Sequence, residues 1–395
     1  MRILILSFYF EPDLCAGSFR TTALVKELTK QLGVSDEVMV MTTMPNRYER
    51  FRSETLHQES WGNVHICRFP LPSHRSGMTD QSFAFLAYAR SVLKQTTGNH
   101  YDVVFATSSR LMTAALGSFV ANRCDARLYL DLRDIFPDTL SDVFAGKPQR
   151  LILPLLRALE KKVIRKASRV NLVSGGFLEY FRRIRNDIDY RTFTNGIDEA
   201  FLGVDFDGSP PPSPRRIILY AGNIGEGQGL DKVIPEAALA LENEFDFWIV
   251  GDGGTRNRLE ERLKEKGVRN VRLIDPVKRD RLIDLYRESD VLFLHLNAFQ
   301  AFEKVLPSKI FEYAATGKPL LAGVSGYSRS FIKENISNAA LFAPCDAEGL
   351  VKALRTLEFT TNPRISFVKR FGRAEIIREM AADLLSLGRE DRNHV

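Results

Sequence analysis

Lys309 and Glu312 stand three residues apart in EKVLPSKIFEYAATGKP, residues 303–319, a spacing that sets an ammonium and a carboxylate on one side of a helix. Pro307 suits a first helical position, and Gly317 followed by Pro319 suits a stop, so a helix of about three turns is predicted from Pro307 to Thr316. At 3.6 residues per turn, Ile310, Phe311, Ala314 and Ala315 share one side, and Ser308, Lys309 and Glu312 share the other. Helical side chains lean toward the N-terminus, so Glu312 stacks over Ser308 near the helix start, where the amides of Ser308 and Lys309 are open to a phosphate. A carboxylate one turn further in repels that phosphate, and its fitting partner is a pair of neutral hydroxyls such as a ribose diol. Taken alone, a solvated Lys309–Glu312 pair is the commoner outcome for such a spacing.

The elements that would position these residues repeat along the chain. Short apolar runs alternate with helix-length segments: RILILSF, EVMVMTT, NVHICRF, DVVFATS, RLYLDLRD and RVNLVSG, then RIILYAG, FWIVGDG, VRLIDP, VLFLHL, PLLAGV and AALFAP. The runs are continuous rather than alternating, as in parallel sheets covered on both faces. Each half is therefore predicted as a doubly wound α/β unit, and 395 residues exceed what one core usually supports. The proline cluster GSPPPSP, residues 208–214, marks the break. The expected organisation is a domain over 1–200, a linker over 201–214, a second domain over 215–368 and a C-terminal helical segment over 369–395. Two such units facing each other would leave a deep cleft at the C-terminal edges of their sheets, the usual place for small anionic ligands.

Both halves open alike, with a strand, a glycine-bearing loop and a helix. The first carries Gly17 and Ser18 at the loop end and Arg20 just inside the helix; the second carries Gly222, Gly225, Gly227 and Gly229. Neither matches G-x-G-x-x-G in its usual setting, and no P-loop follows. Such glycines admit a phosphate or sugar to the backbone, or let a strand pack tightly on a helix.

Composition narrows the class. Hydrophobic content of 44% and charged content of 26% are ordinary for a globular protein. Cys15, Cys67, Cys124 and Cys345 form no C-x-x-C pair, which favours a reducing compartment, read here as the cytoplasm. The apolar start ILILSFYF is short and runs into Glu11-Pro12-Asp13, a buried strand rather than a signal peptide, and no run long enough to span a membrane exists. Between Arg150 and Arg191 eleven basic residues face four acidic ones. A solvated helix face is the common outcome of such a run; an anionic membrane surface or phosphorylated acceptor is the functional one. Nucleic acid is not expected, because aromatics do not interleave with the basic residues.

YAGNIGEGQGLD, VGDGG (with Gly251 and Gly253), ESDVLFL and LPSKIFEYAATGKP together resemble the retaining family 4 glycosyltransferases of the GT-B fold, in the branch that assembles bacterial O-antigen and capsule repeat units on a lipid carrier. TNGID at 194–198 and DLRDIFPDTL extend the resemblance over nearly the whole chain. It implies a nucleotide sugar, UDP- or GDP-linked, on the C-terminal domain, and a C-terminal helix over 369–395 that crosses back to the first domain. It also implies two glutamates with seven residues between them facing the donor, the second, here Glu312, taking the ribose hydroxyls. The first is displaced: Lys304 stands eight positions before Glu312, with Glu303 next to it. The basic pair usual for the diphosphate is replaced by Asn223 and Gln228, so neutralisation falls to Lys309, Lys304 and the amides after Leu306, at Ser308 and Lys309. In the acceptor-side loop the resemblance leads one to expect a histidine. Asp131, Arg133 and Asp134 stand there instead, with Asp134 orienting a sugar and Arg133 binding a phosphate or bracing Asp134, or else as a buried ion pair.

The implied reaction is hexosyl transfer with retention by front-face attack, the leaving phosphate drawing the acceptor proton, with no general base and no metal. Glu303 or Asp134 beside C1 would instead allow a covalent double displacement. Two D-x-D tripeptides, Asp187–Asp189 and Asp205–Asp207, lie near the domain junction, away from any core strand, and His295 reads more readily as a satisfied core histidine than as a donor contact. Phe83, Phe85, Leu86 and Tyr88, close to Arg75 and Arg90, make either a membrane-edge face for a polyprenyl diphosphate-linked glycan or an ordinary amphipathic helix. The enzyme would then sit at the inner face of the cell membrane. A nucleotide-sugar epimerase and a noncatalytic sugar-nucleotide-binding protein are the competing readings.

Overall fold

The computed structural model describes residues 1–13, 15–45, 55–72, 78–108, 111–143, 151–207 and 215–390. They form two units, Met1–Asn195 with Ala374–Val395, and Gly196–Arg373.

The first unit runs β1 (Arg2–Leu6), α1 (Ala16–Gln31), β2 (Glu37–Thr43), β3 (Gln58–Trp61), β4 (Val64–Phe69), α2 (Met78–Gln95), β5 (Val103–Ser108), α3 (Leu111–Arg123), β6 (Arg127–Leu132), α4 (Phe136–Val143), α5 (Leu153–Lys166), β7 (Arg169–Leu172), α6 (Leu178–Arg182) and β8 (Tyr190–Arg191). Its sheet has the order β3-β4-β2-β1-β5-β6-β7-β8. Ile3 of β1 lies opposite both Val38 and Val103, and this central strand is apolar and buried from Ile3 to Leu6 because helices cover both faces. The polar edge strand β3 pairs antiparallel with β4, an exception to the expected parallel sheet.

The second unit runs β9 (Arg216–Ala221), α7 (Leu230–Ala240), β10 (Phe245–Val250), α8 (Arg256–Glu265), β11 (Val271–Ile274), α9 (Arg279–Glu288), β12 (Val291–His295), α10 (Lys309–Ala315), β13 (Leu320–Gly323), α11 (Gly326–Asn335), β14 (Ala339–Phe342), α12 (Ala347–Leu354) and α13 (Ile365–Phe371). Its sheet, β11-β10-β9-β12-β13-β14, is parallel. One core packs α7, α8 and α12 on one face, and another packs α9, α10, α11 and α13 on the other.

The final helix, α14 (Arg373–Arg389), belongs to the first unit almost entirely: Ile377, Met380, Ala381, Leu384, Leu385 and Leu387 join the core of β1, β2 and β5. The division falls between Asn195 and Gly196, ahead of the expected end at residue 200, and the return falls at Ala374, after the expected 369. The reason is where the backbone is tied. The carbonyls of Phe193 and Thr194 accept from Arg20 of α1, whereas Ile197 donates its N–H to Phe371. The proline cluster at 208–214, expected as the linker, lies outside the described residues.

In both sheets the strand order reverses beside the first strand of the unit, between β1 and β5 and between β9 and β12. Loops leaving these strands diverge there and open a crevice at the sheet's C-terminal edge.

Candidate active site

In the second unit that crevice is bounded by residues 222–229 after β9, residues 296–308 after β12, and α10. The β9 loop is braced by backbone. Gly222 donates to Val250, and Gly251 has φ +141 with its α-carbon so close to the Gly222 carbonyl that a Cβ would lie 1.9 Å from that oxygen. Gly253 packs the same way against the carbonyl of Ile224. These two glycines, expected against the donor, thus hold one loop on another. Asn223, exposed at the rim, donates to Gln228 Oε1 at 2.8 Å, so these two are bonded to each other. The Gln228 carbonyl accepts from His295 Nδ1 at 2.5 Å, and His295 Nε2 accepts from the Cys345 amide at 2.9 Å. His295 is buried with both nitrogens bonded, and burial pulls its pKa down to about 4, leaving a neutral structural histidine.

Helix α10 is shorter than predicted. Ser308 is its N-cap residue and the helix spans seven residues, because Ile310 and Phe311 close i→i+3 bonds onto Pro307 and Ser308. The amides of Ser308 and Lys309 find no acceptor among the described residues. Ile310, Phe311 and Ala314 are buried as the periodicity predicts. Tyr313 is buried with them, and its hydroxyl accepts from the Ala221 amide at 2.9 Å, pinning α10 to the end of β9.

Lys309 Nζ meets Glu312 Oε2 at 2.7 Å, and the side chains are 27% and 14% exposed. The pair forms, and it is largely withdrawn from solvent rather than solvated. Tyr286 stands over it, its hydroxyl 3.4 Å from Nζ and 3.5 Å from Oε2. Burial opposes the charge on Lys309, but the Glu312 carboxylate outweighs it and the ammonium's pKa is raised. Glu312 Oε1 makes no hydrogen bond among the described residues. The phenols of Tyr286 and Tyr313 escaped the sequence reading, because Tyr286 reaches the pair from α9 and Tyr313 turns to the end of β9, placements that only packing decides.

Glu303 and Lys304 end a 3-10 turn over Gln300–Lys304. Glu303 is exposed and Lys304 half-buried. The turn is clamped from behind: Ser328 donates to the Val305 carbonyl, and Gly326 lies against the carbonyl of Glu303. Leu306, expected at the donor, has its side chain in the core instead, because an apolar side chain at this turn gains more from packing on α10.

At the first unit's crevice Asp131 is buried in an ion pair. Arg20 takes it in a two-pronged bond, Nε and Nη2 each at 3.1 Å, and Asn171 donates to Oδ1 at 2.7 Å. This buried group is structural. Arg133 and Asp134 leave β6 beside the first turn of α1, where Gly17 and Ser18 lie, and a Cβ on Gly17 would meet Arg133 Nη1 at 2.9 Å. Burial pushes the Asp134 carboxyl up to about 6, against the pull of Arg133.

On α2, Phe85 and Tyr88 are core residues while Phe83 and Leu86 face out with Arg90; Arg75 lies outside the described residues. On α5 and just before it, Leu151 and Leu155 are exposed beside Arg157, Lys161 and Lys162. Asp187 pairs with Arg185 and Asp189 with Arg191, and Asp205 accepts from the Asp207 amide. No described helix is long and apolar enough to cross a membrane.

Comparison with known proteins agrees with this architecture. Residues 18–196 match the family profile "Glycosyl transferase 4-like domain", and residues 204–371 match "Glycosyl transferases group 1". WcaI of Escherichia coli, named for colanic acid biosynthesis as a glycosyl transferase, is 36% identical over 117 residues, 30% of this chain and 28% of that protein. The match thus spans under a third of that relative. The 2-deoxystreptamine N-acetyl-D-glucosaminyltransferase of Niallia circulans is 21% identical over 73% of this chain and 76% of its own. Among solved structures, HepE of Anabaena in complex with UDP superposes with a TM-score of 0.66 at 16% identity, covering 98% of this chain and all of its own. WaaG, described as a glycosyltransferase of lipopolysaccharide biosynthesis, gives 0.59 at 14% identity, covering 98% of each chain.

Proposed function

We propose, for a chain that belongs to the GT-B glycosyltransferases, that it moves a hexosyl group with retention from a UDP- or GDP-linked sugar on the second unit to a polyprenyl-diphosphate-linked glycan in bacterial surface polysaccharide assembly. The observation that carries the donor side is the Lys309–Glu312 pair, held by Tyr313 against the end of β9 with Glu312 Oε1 unbonded among the described residues. A carboxylate oxygen of this kind accepts from both hydroxyls of a ribose. The diphosphate then lies toward the helix start, on the free amides of Ser308 and Lys309, with Lys309 and Lys304 countering its charge.

In the reaction the C1–O bond to the diphosphate breaks, the acceptor hydroxyl oxygen bonds C1 on the same face, and its proton passes to the leaving phosphate oxygen. Preorganised amides and an ammonium stabilise the charge that builds on the diphosphate, so the reading assigns no metal. Asp134 orients the acceptor or donor sugar, and Glu303 lies nearest to the position of the displaced first glutamate. The naming of WcaI and WaaG for surface polysaccharides, and the UDP bound by HepE, support the choice of substrate class. The exposed Leu151 and Leu155 beside Lys161 and Lys162 suit a peripheral contact with an anionic membrane surface, where a polyprenyl carrier resides.

The test is to incubate the protein with a panel of nucleotide sugars and a lipid diphosphate-sugar acceptor, with and without chelator. One donor is expected to be consumed only when acceptor is present, with the product anomer matching the donor. Consumption by acceptor-independent isomerisation alone would replace this reading with an epimerase.

A further inference from the structure

Two arginines of the second unit share one carboxylate near the Lys309–Glu312 pair. Asp198 stands just inside the point where the chain enters this unit, and Arg373 stands where it leaves. Backbone ties hold the two together: Ile197 donates to the Phe371 carbonyl at 2.7 Å, and the Arg373 amide donates to the Ile197 carbonyl at 2.9 Å. Arg373 Nη1 meets Asp198 Oδ2 at 2.5 Å, while Arg279, from the start of α9, takes Oδ1. The Asp198 and Arg373 side chains are 14% and 13% exposed, so this cluster is largely out of water. Asp198 Oδ1 also accepts from the Ala200 amide and caps the turn that follows.

The cluster adjoins the donor pair. The Arg279 guanidinium lies 6.0 Å from the centre of the Phe201 ring, Phe201 stacks on Tyr286 with centroids 5.7 Å apart, and the Tyr286 hydroxyl stands over Glu312 Oε2. Burial pulls the pKa of Arg373 down, Asp198 and then Glu312 hold it up, and Arg279 opposes it. The field of Glu312 therefore reaches Arg373, and the two arginines repel each other. Among the described residues Glu312 is nevertheless bonded to Lys309 and Tyr286 and to neither arginine. A buried guanidinium seeks a carboxylate, and Asp198 is the one that holds Arg373 away from Glu312.

We infer that Asp198 is a positioning residue of the donor site: it withholds the Arg373 guanidinium from Glu312 and so keeps Glu312 Oε1 open to the hydroxyls of a bound ribose. The inference rests on the ribose reading of Glu312. Without the Asp198 charge, repulsion from Arg279 drives Arg373 toward the next carboxylate, and an Arg373–Glu312 pair then competes with the nucleotide for the same oxygen. Asp198 needs no contact with the nucleotide to act in this way.

The experiment is calorimetric titration of the full chain with UDP and with GDP. Asp198→Asn keeps the side chain's size and an acceptor for the Ala200 amide while removing the charge. It is expected to raise the Kd about tenfold or more, the effect of losing a hydrogen bond to a charged group. Adding Arg373→Gln to Asp198→Asn is expected to restore the Kd to within about threefold of the wild type, since the two sites are coupled rather than additive. A merely structural aspartate would not be rescued by deleting an arginine. Arg373→Gln alone is expected to leave the Kd unchanged; a loss there would put the arginine in the binding site itself and overturn the inference, and this arm stands if Asp198→Asn fails to fold. An unchanged Kd in Asp198→Asn, or a loss that Arg373→Gln does not repair, overturns it too. Ligand-free crystals of Asp198→Asn are expected to show Arg373 on Glu312, and a guanidinium still in its wild-type place sinks the inference whether or not a nucleotide binds. Glu312→Ala separates the readings: an unchanged Kd there removes the ribose role and this inference with it, whereas impaired binding in Glu312→Ala with intact binding in Asp198→Asn removes this inference alone.

Discussion

Glu312 is legible in the sequence because everything that defines its face lies within one helix. Its spacing from Lys309, the proline before and the glycine after are local. What the sequence could not choose is the environment, and that came from Tyr286, whose phenol meets the pair only when α9 and α10 pack on the same sheet face, and from Tyr313, whose phenol ties α10 to Ala221. Glu312→Ala is expected to weaken nucleotide-sugar binding about 10- to 100-fold, the effect of losing hydrogen bonds to a charged acceptor. Isothermal titration calorimetry checks this, and an unchanged Kd would refute the ribose role. The fold should survive, since Tyr313 rather than Glu312 anchors α10. The same reasoning explains why the sequence named no partner for Asp131: Arg20 lies 111 residues away in the chain.

At the scale of elements, the loops that form the crevice depend on close backbone approach. Gly251→Ala puts a Cβ into the Gly222 carbonyl at a φ that disfavours it, and is expected to cost at least about 2 kcal/mol and to impair donor binding together. Urea unfolding and nucleotide titration on one preparation check whether both fall. Helix α5 carries a second testable feature. Glu160 is buried, and burial, with Asp138 adding to it, pushes its carboxyl up to about 7 although Tyr180 donates to it at 2.5 Å. A folded pKa above the unfolded value of 4.5 means that the stability it contributes is fully present below 4.5 and lost as pH rises through about 7. The loss approaches about 3 kcal/mol at alkaline pH. Glu160→Gln keeps an acceptor for Tyr180 and removes the charge, so its urea midpoint at pH 8 should exceed that of the wild type, with the gap closing at pH 4.5.

For the whole molecule, the chain's end completes its beginning. Helix α14 supplies five large apolar side chains to the core under β1, and Asp383 binds Tyr129, Arg169 and Arg191. At about 1.5–3 kcal/mol per buried side chain, their loss rivals the entire stability of an ordinary domain. A chain ended at Arg373 is therefore expected to lose the first unit while the second stays folded. Limited proteolysis should leave a resistant fragment over 215–373, and a full-length resistant product would overturn the expectation.

The strands and the two-unit plan could be read from residue order, because continuous apolar runs and helix punctuation are short-range signals, whereas the return of the last helix came from the family resemblance alone. The polar strand β3 and the two-residue β8 could not, since neither buries enough apolar surface to leave a pattern. Which glycines brace loops and which arginine takes Asp131 were settled by tertiary contacts. Hydrogen-bond partners are assigned by distance in space, and a buried acceptor goes to whichever donor the packed sheet brings nearest.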